Sequence, residues 1–283
     1  MKLGNLEVRN TKTLVSPDTR ICGLIYAPSK YGKTELASSL GDITKKYRGK
    51  PTLIIACEVA EGGGTMTLHR KDCDYVMPTT WQDMEQLLAA LAGDETYGGV
   101  VLDNATDYIV RIVRPYALKF PSKEANSAFS GPRQHGVPMR TDYQVMAECA
   151  RQQLNKLINL TNETTPAAVR KDLIVTALEK EHTDDGGNVE SIKPALPGAL
   201  ADVVTAMFQS VVSIRIKNKI VGPANNTKSV AGRLLHVMEG EKRITGDRCG
   251  LWKNGQSLTT DTGEPIGLLP MYSEWLESMA KPA

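Results

Sequence analysis

Four short apolar runs constrain this chain more than any other feature. Residues 21–26 (ICGLIY), 52–57 (TLIIAC), 99–103 (GVVLD) and 173–178 (LIVTAL) are apolar almost without interruption. A strand with one wet face alternates apolar and polar residues. An uninterrupted run marks a strand covered on both faces, as in a parallel sheet between helices. Helical patterns lie between the runs: 33–47 after the first, 81–92 after the second with Thr79 or Thr80 as N-cap, and 142–160 before the fourth. The alternation predicts right-handed strand–helix–strand units and an α/β fold. Residues 211–217 and 232–238 alternate more strongly and flank a Gly/Asn/Lys turn at 222–228, which predicts an antiparallel hairpin on the sheet edge. A short helix is expected around 271–279. Residues 114–140, with four prolines, and 181–200, with DDGG and then PALPG, show no regular pattern. Long irregular segments in a compact domain are usually functional or disordered.

Composition bounds the function classes. The 283 residues give an extension (1–20), a core (21–253) and a tail with the short helix (254–283). With 34 Lys+Arg against 32 Asp+Glu, the net charge is +2. A generally basic nucleic-acid coat is excluded, but a local basic patch is not. The five cysteines form no CxxC pair, which argues against a disulfide framework and a structural zinc site. No apolar run approaches the roughly 18 residues of a membrane span, and the first twenty residues lack an apolar signal core. The expectation is a cytoplasmic protein with no membrane partner.

The first run leads into Ala27-Pro28-Ser29-Lys30-Tyr31-Gly32-Lys33-Thr34, with Glu35 next. These residues fit the phosphate-loop pattern G-x-x-x-x-G-K-[ST] everywhere except at Ala27, with a strand before and a helix after. Such a loop turns successive amides toward phosphates. Lys33 is expected to reach the β- and γ-phosphates of ATP, and the Thr34 hydroxyl to ligate Mg2+. If Ala27 had to be left-handed it would cost about 1–2 kcal/mol. That is small against charge-assisted bonds of about 1.5–3 kcal/mol each, so Ala27 should weaken binding without abolishing it.

The third run ends in Asp103, the expected second contact to Mg2+. Hydrolysis also needs a group to orient water or take its proton. The second run ends CEVAEGGG, so Glu58 and Glu61 both qualify, and Asn104 is a third polar group near the phosphates. The segment 114–140 holds five Lys/Arg and one acid, and 210–253 holds nine Lys/Arg and three acids. Lys119, Lys123 and Arg133 are the candidates for a single-stranded DNA backbone, with Tyr116, Phe120 and Phe129 available for stacking.

The order APSKYGKT, CEVAEGGG, VVLDN, Asp142–Tyr143, TALEKE and PALPG resembles that of phage-encoded RecA-like ATPases, the AAA-domain proteins of phage single-strand annealing and recombination. The resemblance spans about 21–248. It implies a P-loop NTPase of RecA-like fold: a mostly parallel sheet flanked by helices, with C-terminal antiparallel edge strands. It also implies ATP and Mg2+ as ligands, assembly into a ring or filament, single-stranded DNA as partner, phage single-strand-binding or recombination proteins as further partners, and the host cytoplasm as location. Carried across, Lys33, Thr34 and Asp103 match the phosphate and Mg2+ residues. Glu58 resembles the catalytic glutamate by position, and Glu61 the acidic turn. Arg248 resembles a basic residue that reaches a neighbour's nucleotide. Where the family often has a polar sensor this chain has Leu178, and Thr176 is a candidate substitute. Two other readings stand beside this one: a nucleotide-gated binding module with little hydrolysis, and a P-loop kinase, for which no arginine-rich lid is evident.

Overall fold

A computed structural model of the chain describes residues 2–3, 6–7, 19–58, 73–119, 140–198, 200–221, 228–237 and 242–280. The strands are β1 Cys22–Ala27, β2 Thr52–Ala56, β3 Asp74–Val76, β4 Gly99–Asp103, β5 Asp172–Thr183, β6 Val189–Pro194, β7 Ser210–Val221, β8 Lys228–His236 and β9 Gly246–Asp247. They lie in the order β8-β7-β1-β5-β4-β2-β3, with β6 paired to β5 and β9 to β7. From β7 to β3 every neighbouring pair is parallel. Strands β8, β9 and β6 add antiparallel pairings. A separate two-residue ladder pairs Lys2–Leu3 with Leu6–Glu7.

The helices are α1 Lys33–Ser38, α2 Leu40–Arg48, α3 Trp81–Gly93, α4 over 105–117, α5 Arg140–Asn159, α6 Leu200–Met207 and α7 Leu269–Ala280. Because strand side chains alternate, the sheet buries two separate apolar faces. Leu24, Tyr26, Leu53, Ile55, Val100, Leu102, Leu173 and Val175 pack with α3, α4, α5 and α6. Ile25, Ala27, Ile54, Val101, Ile174, Val212 and Ile214 pack with α1, α2 and α7. The four apolar runs are therefore strands covered on both sides. The segment 254–280, read as a tail, joins this second layer through Leu258, Leu268, Met271, Tyr272 and Trp275.

Two segments without a sequence pattern prove regular. Part of 114–140 continues α4, a run of Ala105–Tyr108, a wider-turned Ile109–Val113 and Arg114–Ala117; Pro115, which has no N–H to give to the preceding turn, follows directly on the wider-turned piece. Residues 181–194 form the β5–β6 hairpin. Its tip is fixed by Asp184, whose carboxylate accepts from the Asn188 N–H at 2.7 Å.

After β1, the chain crosses one face of the sheet through α1 and α2 to reach β2. After β5 it returns past β1 to β7 by way of α6, on the other face. The connections part at the C-terminal ends of β1 and β5. In open α/β sheets this is where a ligand crevice forms.

Candidate functional site

At that crevice the chain leaves β1 through residues 28–32 and enters α1. Gly32 sits at φ 87, ψ 21 as the residue before the helix, and Lys30 is also left-handed at φ 65. Ala27 is not. It is the last residue of β1, paired with Leu178 and fully buried among Leu36, Leu40 and Ile174. The expected left-handed cost at Ala27 is therefore corrected: an extended residue needs no glycine, and the turn falls on Lys30 and Gly32 instead. Ser29 and Lys30 are exposed; Pro28, Tyr31, Thr34 and Glu35 are half-buried.

Lys33 is 6% exposed, and its Nζ donates to the carbonyls of Ala27 at 3.1 Å and Pro28 at 2.8 Å. Burial pulls its amine below the usual lysine range, opposed by the charges of Asp103, Glu58, Glu179 and Asp107. The Thr34 hydroxyl donates to Asp103 Oδ2 at 2.7 Å, and the Thr176 hydroxyl of the intervening strand β5 donates to Oδ1. Burial raises the Asp103 carboxyl above its ordinary value, against the two hydroxyl donors. The structure thus brings Lys33, Thr34, Asp103 and Thr176 together. The hard-oxygen pair of Thr34 and Asp103 fits Mg2+, which takes one or two protein oxygens and completes its shell with water and substrate phosphate. Among the described residues no cluster of three or more His, Cys, Asp or Glu could hold a metal by itself.

Glu58 follows β2, the strand beside β4, and its Oε1 accepts from Asn104 Nδ2 at 3.0 Å. The same Nδ2 donates to Asp107 Oδ2 at 2.7 Å, while Asn104 Oδ1 accepts the Asp107 N–H at 2.8 Å and caps α4. Both amide hydrogens of this fully buried side chain are committed. Asn104 therefore anchors Glu58 rather than presenting a free group to water. Arg111 Nη1 secures the preceding carbonyl, Cys57 O, at 2.8 Å.

Other sequence candidates lie elsewhere. Glu61, Lys123, Arg133, Phe120 and Phe129 fall outside the described residues. Lys119 is exposed just past α4. The Tyr116 ring is stacked on Trp81 at 4.2 Å and 4°, so one of its faces is already covered. Arg248 lies at the opposite end of the sheet: β9 pairs Asp247 with Ser210, which pairs with Gly23 at the start of β1. The Asp247 carboxylate beside it is structural, accepting from the Ser210 hydroxyl and the N–H groups of Cys249 and Trp252. Leu178 offers no polar side chain; its N–H donates to Thr106 Oγ1 at 3.0 Å and its carbonyl accepts from the Ala195 N–H at 2.8 Å.

Two features escaped the sequence reading. Glu179, just past the level of Ala27, forms a buried ion pair with Arg243, whose Nη1 also donates to Ser213. Arg233, on the second edge strand, lays its guanidinium against Gly32. The alternation of β8 places Arg233 on one face, but no local signal says that this face meets the phosphate loop.

Comparison with curated proteins gave no match. Among solved structures, the flagellar accessory protein FlaH from Methanocaldococcus jannaschii is similar at 8% identity, with 78% of each chain covered and a TM-score of 0.38. A family described as an AAA domain matches residues 19–249. Strand order, phosphate loop and this match agree: the chain belongs to the AAA-domain family and has a nucleotide-binding P-loop domain of RecA-like fold.

Proposed function

We propose that this chain binds ATP with Mg2+, hydrolyses it, and acts on single-stranded DNA as a homo-oligomeric ring or filament in phage recombination or annealing. The observation that carries the reading is the convergence of the Lys33 amine, the Thr34 hydroxyl and the Asp103 carboxylate, with Glu58 anchored one strand away. Lys33 is turned back on two carbonyls of its own loop; phosphate oxygens offer stronger, charge-assisted partners for the same amine. Thr34 and Asp103 would hold Mg2+ arriving with the nucleotide, where it supplies charge neutralisation on the phosphates.

Glu58 is the group to orient water or take its proton, with Glu61 the second candidate. Arg248, remote from its own phosphate loop, would serve a neighbouring copy, and such a residue contributes about 10^3–10^5 in rate. Lys119, Lys123 and Arg133 together would follow a DNA backbone, giving salt-sensitive binding that weakens when all three are neutralised.

Phosphate release by the wild type, Lys33→Ala and Glu58→Gln, with and without an oligonucleotide, tests the reading. Expected are turnover by the wild type, enhancement by DNA, loss of nucleotide affinity in the first variant, and loss of turnover with affinity kept in the second. Undiminished phosphate release by Lys33→Ala would overturn it. One observation favours a nucleotide-gated module with little hydrolysis: Leu178 stands where a polar sensor would face the γ-phosphate, and the next side chain, Glu179, is taken by Arg243. Tight ATP binding with only background turnover would establish that alternative.

A further inference from the structure

We infer that Arg233 is a nucleotide-binding residue in cis, contacting the α- and β-phosphates from the antiparallel edge of the sheet; this rests on the ATP-binding reading above. A Cβ placed on Gly32 would lie 2.9 Å from both the guanidinium carbon and Nη1 of Arg233, and 3.1 Å from Nε. The absence of a side chain at Gly32 therefore lets a second cation approach the loop that already holds Lys33. Among the described residues the guanidinium has no carboxylate partner. The Arg233 guanidinium therefore brings a second positive charge to the loop that holds Lys33. A planar guanidinium suits paired phosphate oxygens.

The position along the phosphates follows from sheet order. Asp103 and Glu58 lie on the β5-β4-β2 side of the loop, so the γ end of a nucleotide held by Thr34 and Asp103 faces that way. Arg233 comes from β8, on the opposite side of β1. The space beside the loop on this side is a cavity of about 570 Å³ with room for a nucleoside, lined by Pro28, Tyr31, Leu234, Arg215, Glu181 and the Glu179–Arg243 pair among others. A nucleotide lying this way puts its α- and β-phosphates next to Gly32 and Arg233. The backbone of Arg233 is pinned independently of its side chain: its N–H donates to Thr259 Oγ1 at 3.1 Å, and its carbonyl accepts from Leu258 N at 2.7 Å. Replacing the side chain therefore leaves the strand in place.

The test is equilibrium binding of Mg-ATP and of Mg-ADP to the full chain, comparing wild type, Arg233→Ala, Arg233→Lys and Lys33→Ala, with melting temperature as the check on folding. Loss of a charge-assisted fork should weaken ATP and ADP alike, by about 10- to 100-fold, with partial recovery in Arg233→Lys. The nucleotide-free melting temperature of Arg233→Ala should stay close to that of the wild type, because the strand is held there by backbone bonds to Thr259 and Leu258. Equal affinity of wild type and Arg233→Ala for both nucleotides would overturn the inference. So would weakened ATP with unchanged ADP, which puts the guanidinium at the γ-phosphate. Failure of the wild type to bind either nucleotide would instead overturn the ATP-binding reading itself.

Discussion

Asn104 is the side chain on which the position of Glu58 turns. It is fully buried, caps α4 through Oδ1, and donates from Nδ2 to Glu58 at 3.0 Å and to Asp107 at 2.7 Å. Asn104→Ala removes the cap, worth about 1 kcal/mol. It also removes two donors to carboxylates, worth about 1.5–3 kcal/mol each when buried. Glu58 and Asp107 are only half-buried and regain water, so the net loss should be near the lower end of the sum, about 4 kcal/mol. Glu58 also loses its anchor, so turnover should drop while ATP affinity, set at Lys33, stays. Asn104→Asp separates the effects, since an aspartate keeps the cap but puts a carboxylate beside Glu58, Asp107 and Asp103. Like charges raise its pKa in the folded state. Its stability is then full below the ordinary carboxylate pKa and is lost as pH rises through the raised value. Urea denaturation at pH 4 and 7, with phosphate release, reads both variants. An Asn104→Ala protein with wild-type midpoint and turnover would refute the anchoring role.

Three further expectations concern stability and reactivity. The fully buried Asp172 carboxylate accepts from the Ile21 N–H at 2.7 Å and Arg48 Nε at 3.1 Å, so Asp172→Ala strands a buried guanidinium and should cost about 3–5 kcal/mol by chemical denaturation. Burial works to raise the Asp94 carboxyl, yet the Tyr97 and Thr96 amides and Lys171 together hold it at about 2. Its contribution is present above the unfolded carboxylate pKa and lost as pH falls toward 2, so Asp94→Asn should flatten the acid limb of a stability–pH curve. Burial raises the thiols of Cys57 and of Cys22, the latter to about 11, and both side chains are buried, so native protein at pH 8 should modify at these two only as fast as it unfolds, as mapped by mass spectrometry.

Much of this fold is legible because its parallel strands are buried twice over. GVVLD at 99–103 is a strand with the predicted bounds, and the phosphate loop follows a strand and opens a helix as its pattern requires. What is hidden depends on distance in sequence. Nothing near Arg233 indicates that an edge strand some 200 residues on would meet Gly32. Tyr116 reads as an exposed stacking group until Trp81, 35 positions earlier, is placed against it. The 181–194 hairpin carried its own sign, DDGGN, but polar strands extending beyond the sheet lack the apolar runs that marked the others. At Ala27 the error was one of position: the pattern's first glycine coincides with the strand end, and the left-handed turn comes three residues later.

On the proposed function, the loop between β1 and α1 holds a nucleoside triphosphate through Lys33. Calorimetric titration of Mg-ATP into wild-type protein and Lys33→Ala measures this directly. The account predicts saturable one-site binding by the wild type that disappears in the variant while both proteins melt alike; identical isotherms, or no binding heat in either protein across temperatures, would contradict it.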